Sequence, residues 1–203
     1  MNAKIEKLKV VPINPQVTEE DAQAAVRTLL RYIGEDPSRE GLKDTPKRVV
    51  KSFAEFYGGY AHDPAAILSK TFTDVENYQD IILLENIRLR STCEHHMLPI
   101  SGYVHIGYIP NKKVVGISKL ARVVEVLAKR LQIQEKLTVQ IAEAINSALA
   151  PQGVGVIVSA KHQCMTDRGV CKEDSLMTTS HFIGSFATDN LLKTRFLSGI
   201  KKY

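Results

Sequence analysis

Val26, Leu29, Leu30 and Ile33 recur three or four positions apart, behind Thr18, Glu19 and Glu20 and ahead of Gly34. That spacing lays one apolar stripe along a helix, with Thr18 as its cap and the acids at its positive end. After a polar, glycine-containing stretch from Glu35 to Asp44, Val49, Val50, Phe53 and Phe56 repeat the pattern. Thr45 and Pro46 open this second helix, and Gly58 with Gly59 closes it. Pro12 and Pro15 keep the chain ahead of Thr18 loose. Residues 1–60 are therefore expected to form an N-terminal helical arm, and residues 61–203 the main domain, the two acting as one unit.

From Ile81 the period changes. IILLENIRLRS and GYVHIGYIP run apolar or alternate as strands do, and Pro110, Asn111 and Lys112 supply the turn that follows. Ser118 is expected to cap a helix carrying Leu120, Val123, Val124 and Leu127. A longer helix holds Leu137, Ile141, Ala144, Ile145 and Leu149, and Pro151 and Gly153 stop it. In GVGVIVSAKHQC, residues Val154, Val156, Val158, Ala160, His162 and Cys164 share one parity, so a strand would turn them all to one face. SLMTTSHFIGSF reads as a fourth strand and DNLLKTRFLSG as a closing helix begun by Asp189. Two helices thus separate two strand pairs, an α+β plan with no internal repeat.

Composition narrows the class without choosing a function. The 203 residues are 44% hydrophobic and 24% charged, the usage of a folded globular chain. No run approaches the roughly 18 apolar residues of a membrane span, and the opening MNAKIEKLKV is charged, so a cytoplasmic protein with no membrane partner is expected. Three cysteines, Cys93, Cys164 and Cys171, suit reduced thiols or metal ligands better than a disulfide framework. A net charge of +5 and a pI near 9.0 call for an anionic partner.

STCEHHMLPISG places Cys93 and His96 three positions apart, able to turn inward from one loop onto one ion. Cys164, at the end of its strand, is the best third donor if the strand leading into Cys93 lies beside it. Thiolate sulfur and imidazole nitrogen are zinc ligands. His162 and His95 are each open to two roles, fourth ligand or neighbouring proton carrier; three protein ligands with a position left for water is the favoured arrangement, as in a catalytic site.

Positive charge gathers elsewhere. Ser118, Lys119 and Arg122 stand at a helix start, where free N–H groups and cations together suit phosphate; a solvated helix face would carry the same residues. Lys47, Arg48 and Lys51 form a second basic cluster, and Arg168 lies just past Cys164. Gln134 and Glu135 open the longer helix. A carboxylate there suits the helix dipole, and it would also take the adjacent N–H donors of a guanine ring. A zinc-stapled nucleic-acid-binding module competes with these readings, but aromatic residues are only 6% and do not interleave with the cations.

DTPKRVVK, CEHH, ISKLAR, QEKL and HQCMTDRGV together, in the family's order and approximate spacing, resemble GTP cyclohydrolase I from about residue 18 to the C-terminus. The resemblance implies the tunnelling fold, an antiparallel four-stranded sheet with two helices between strands two and three. It implies conversion of GTP and water to 7,8-dihydroneopterin triphosphate and formate, at the entry to tetrahydrofolate and pterin synthesis, and a homodecamer of two pentamers. Cys93, His96 and Cys164 match the family's zinc ligands, His162 its proton donor, and His95 the group assisting ring opening. Ser118 matches the residue acting near the ribose, and Glu135 with Gln134 the guanine reader. Arg48, Lys51, Lys119, Arg122 and Arg168 match or adjoin its phosphate contacts. A non-catalytic relative that binds purine or pterin would keep the fold, and His95 with His162 argues against it. The sequence departs from the family at His181 and Cys171, and whether a regulatory protein binds is not written in it.

Overall fold

The computed structural model describes residues 16–73 and 76–200. The loose segment with Pro12 and Pro15 lies outside them. α1 (Glu19–Tyr32) starts where Thr18 predicts: its side chain accepts from Asp21 N–H while the Asp21 carboxylate accepts from Thr18 N–H, a reciprocal capping box. α2 (Thr45–Tyr57) has Pro46 in its first turn and packs against α1. A 3₁₀ turn over Gly58–Ala61 and the short α3 (Pro64–Leu68) bring the chain to the body.

That junction is bolted by a cation. The Arg130 guanidinium, 6% exposed, donates to Gly59 O at 3.1 Å and His62 O at 3.0 Å and lies 5.8 Å from the Tyr60 ring centroid. Gly59 must be glycine here, because a Cβ would stand 2.0 Å from Val126 O.

The sheet is built from four long strands. β2 (Ile82–Cys93) and β3 (Pro99–Ile109) follow the two-residue β1 (Thr71–Phe72). The two-residue β4 (Val114–Val115), α4 (Ile117–Ala128), the two-residue β5 (Leu131–Gln132) and α5 (Gln134–Leu149) come next. β6 (Gly153–His162), α6 (Gln163–Thr166), β7 (Met177–Gly184), α7 (Ser185–Thr188) and α8 (Asn190–Gly199) complete the chain. The spatial order is β5-β2-β3-β6-β7, all antiparallel except β5, which runs parallel to β2; β1 and β4 pair separately. The α+β plan with two long helices between the strand pairs is present, and the sheet has a short fifth member the four-strand expectation omits.

α4 and α5 cover one face of the sheet. Val154, Val156, Val158 and Ala160 turn into that layer at 0% exposure, as their shared parity predicts, against Leu137, Ile141 and Ile145. Phe186, Leu192 and Phe196 of α7 and α8 cover the other face, where a Cβ on Gly107 would meet the Phe196 ring at 2.6 Å.

Three sequence expectations change. Ser118 is not the cap of α4: Gly116 is, and Ser118 lies exposed inside the first turn. Cys164 sits on the helical turn α6 after β6 ends at His162, because the chain leaves the sheet there. The neighbour of β6 is β3, not the strand carrying Cys93, since the tight return from Cys93 to Pro99 lays β3 between them.

Candidate metal and nucleotide site

The ends of β2, β3 and β6 meet at one edge of the sheet. Thr92 pairs with Pro99, and Ile100 pairs with His162, so Cys93, the following turn and His162 are brought level by strand register. The turn is closed by Met97 N–H to Cys93 O and Cys93 N–H to Leu98 O, both at 2.8 Å, with Met97 in the left-handed region at φ 54°. This winding returns His96 toward Cys93. Glu94 N–H donates to Gln132 O at 3.0 Å, which ties the turn to β5.

The ligand atoms of Cys93, His96 and Cys164 all lie within 4.8 Å of one another. Cys93 Sγ and His96 Nδ1 are 4.0 Å apart. Bonds of about 2.3 Å to sulfur and about 2.0–2.1 Å to nitrogen at a tetrahedral angle put such a pair about 3.6 Å apart, so the Cys93–His96 pair needs only a small contraction to hold a zinc-sized ion. Two sulfurs and one imidazole are also the right donor chemistry for that ion. The triad grades from buried Cys93 through half-buried Cys164 to exposed His96, so it opens toward solvent. Burial pushes the Cys164 thiol up, and contact with Cys93 adds to this, while the Arg168 guanidinium opposes it. A bound cation reverses the balance, because only thiolate ligates.

His162 and His95 are not in the donor group. His162 Nε2 lies 2.8 Å from Gln134 Oε1. Burial pushes the His162 imidazole below its ordinary value and the Glu135 carboxylate pulls it partly back. His95, in the same turn as His96, is exposed, with Nε2 4.0 Å from Glu94 Oε1. Arg168 reaches the triad from the loop after α6, Nη1 to His96 Nε2 at 3.3 Å.

The other cations stand apart. Ser118 and Arg122 are exposed and Lys119 half-buried on the first turns of α4, while Arg48 and Lys51 lie exposed on α2. Arg48 pairs with Asp44 at 3.4 Å; among the described residues Lys51, Lys119 and Arg122 form no ion pair. Glu135 is exposed at the start of α5, one residue from the buried Gln134. Of the two departures, His181 Nε2 lies 4.0 Å from Glu143 Oε1, and Cys171 is exposed with its thiol free. The sequence reading passed over Thr138 and Thr179, which enclose Gln134; the one signal was Thr138 on the buried stripe of α5, four residues on.

Comparison with known proteins gives the family of the chain. The family model described as GTP cyclohydrolase I matches residues 22–201. The chain is 53% identical over 187 residues to GTP cyclohydrolase 1 of Pelagibacter ubique (strain HTCC1062), covering 92% of this chain and 93% of the relative. It is 54% identical over 185 residues to GTP cyclohydrolase 1 of Maricaulis maris (strain MCS10), covering 91% and 90%. With GTP cyclohydrolase 1 of Rickettsia bellii (strain OSU 85-389) the identity is 56% over 181 residues, covering 89% and 94%.

Proposed function

The chain belongs to the GTP cyclohydrolase I family, and on that premise we propose that it converts GTP and water to 7,8-dihydroneopterin triphosphate and formate with zinc bound by Cys93, His96 and Cys164. The observation carrying this reading is the convergence of those three ligand atoms within 4.8 Å beside His162. Zinc, when bound, supplies a hydrolytic nucleophile at neutral pH by lowering the pKa of water from 15.7 to about 7.

The remaining work belongs to the chain. His162 donates a proton to the imidazole ring of guanine, making C8 electrophilic, and His95 assists ring opening and the departure of formate. Glu135 accepts the adjacent N–H groups of guanine. Ser118 acts near the ribose during the rearrangement that closes the new ring. Lys119, Arg122, Arg168, Arg48 and Lys51 hold the triphosphate through charge-assisted hydrogen bonds.

The working unit is a homodecamer of two pentamers in the cytoplasm. Two features support assembly: β7 forms one margin of the sheet, paired only with β6 among the described residues, and α1 buries none of its residues while Leu29, Tyr32 and Ile33 beside or on it are 63%, 86% and 69% exposed. Among the described residues no helix is long and apolar enough to cross a membrane.

The test is incubation of metal-loaded protein with GTP, following formate and the fluorescence of the oxidised pterin. The expected result is one formate per pterin, with His162→Ala binding GTP but not completing turnover. Absence of formate release from the unmodified protein overturns the reading.

A further inference from the structure

Gln134, expected from the sequence to read guanine beside Glu135, is only 1% exposed. Its amide is surrounded. Nε2 lies 3.0 Å from Val158 O, 3.0 Å from Met177 O and 3.1 Å from Thr179 Oγ1. Two of these partners are carbonyl oxygens, which only accept, so the amide nitrogen must face them; the reverse orientation would set three oxygens against one another. Oε1 is therefore the atom 2.8 Å from His162 Nε2. An amide oxygen cannot donate, and so Nε2 of His162 carries the hydrogen.

The surrounding hydroxyls lock this direction. Thr138, also 1% exposed, donates its hydroxyl to Gln134 O at 2.7 Å. With that proton committed, the 2.6 Å contact between Thr138 Oγ1 and Thr179 Oγ1 is donated by Thr179. Thr179 then has a lone pair free for the Gln134 amide. Thr179 donates to Thr138 and Thr138 to the Gln134 backbone O, while the two amide hydrogens of Gln134 are shared among its three acceptors and its Oε1 accepts from the imidazole. α5, β6 and β7 each contribute a member, so the arrangement is held by the fold rather than by a loop.

We propose that Gln134, held by Thr138 and Thr179, is a positioning residue that fixes the ring orientation of His162 and keeps a hydrogen on its Nε2, so that Nδ1, turned to substrate, is the nitrogen that takes up a proton to give the imidazolium and passes that proton to guanine. Gln134 does not touch guanine; Glu135 alone of the pair is exposed enough to do so. The inference rests on the role proposed above for His162.

The experiment uses the metal-loaded full-length protein and four variants: Gln134→Met, Thr179→Val, Thr179→Ser and His162→Ala combined with Gln134→Met. Loss of an aligned proton donor costs about 10²–10⁴-fold, so Gln134→Met is expected to lower kcat about 100-fold with KM for GTP within about twofold. Thr179→Val lowers kcat several-fold, and Thr179→Ser, which keeps the hydroxyl, stays near the unmodified protein. Added to His162→Ala, Gln134→Met costs nothing further, because it acts through the imidazole. The ¹⁵N spectrum of His162 in the resting protein shows hydrogen on Nε2, and Gln134→Met mixes the tautomers.

A KM that rises while kcat holds would make Gln134 a substrate contact and overturn the proposal. So would a resting His162 with hydrogen on Nδ1, or Gln134→Met at full kcat. Thr179→Val keeps the question open to measurement if Gln134→Met fails to fold. If the unmodified protein releases no formate, the proposed reaction fails, and the ¹⁵N spectrum still decides the hydrogen-bond arrangement by itself.

Discussion

Cys93 ends β2, His96 stands in the turn after it and Cys164 on α6, and their ligand atoms meet within 4.8 Å, whereas Arg48 and Lys51 on α2 and Lys119 and Arg122 on α4 are spread over two helix surfaces. The first group is made by backbone register: a tight return after β2 and a helical turn after β6 leave it little freedom. The second is made of long cations on helix surfaces, with only Arg48 paired among them. The candidate metal group thus lies within one polypeptide, whereas these cations are spread over two helices. Arg168 belongs to both regions, since it touches His96 and is itself exposed.

The largest effect expected from breaking this contrast comes at the triad. Cys164→Ala should bring metal content to background and abolish formate release, because two remaining donors hold zinc poorly. The fold should survive, since the interior of β6 is Val154, Val156, Val158 and Ala160, all packed on α5 independently of the metal. Elemental analysis and thermal melting check both halves. A protein that keeps its metal would break the triad, and one that unfolds on chelation would make the site structural.

Removing the cations should act on binding and spare the metal. A hydrogen bond to a charged group contributes about 1.5–3 kcal/mol, so Arg122→Ala and Lys119→Ala should each raise KM for GTP by roughly 10–100-fold at unchanged metal content. Added salt should raise KM of the unmodified protein and affect the variants less. Equal KM in variant and unmodified protein would remove α4 from the phosphate site and erase the contrast drawn here.

The two regions were not equally legible in the sequence. Hydrophobic period located α1, α2, α4, α5 and the four long strands, because each buries a face that composition must mark. It could not locate α3, β1, β4 or β5, which span two to five residues and carry too little period. Residue type alone picked out Cys93, His96 and Cys164, since sulfur and imidazole at that spacing have few other uses. Their strand order was misjudged, because parity says which face a residue takes and nothing about which strand lies alongside. Gln134 is the clearest case of a residue hidden by its neighbours: next to Glu135 it reads as a substrate contact, and only the closeness of β6 and β7 shows its amide to be occupied. Arg130 likewise reads as one more basic residue until Gly59 and His62 are seen to receive it.

The smallest expected effect sharpens the contrast by asking whether the cations of α2 depend on the order of α1, which packs against it. The Thr18 hydroxyl, first, and then its N–H hold the Asp21 carboxylate below its ordinary value. A group depressed in this way stabilises the folded state above its unfolded value, and that stabilisation disappears as pH falls through the lower folded one. Thr18→Ala should therefore speed hydrogen exchange in the first turn of α1 about fivefold at neutral pH, the usual weight of a lost cap. The difference between variant and unmodified protein should shrink on acidification below the carboxylate range, where protonated Asp21 no longer closes the box. Metal content and KM should stay within about twofold, because α2 has its own start at Thr45 and Pro46 and its own anchor through Gly59 and Arg130. A large rise in KM would mean that the cations of α2 are placed by α1 after all, and that the second region is more preorganised than its exposed side chains indicate.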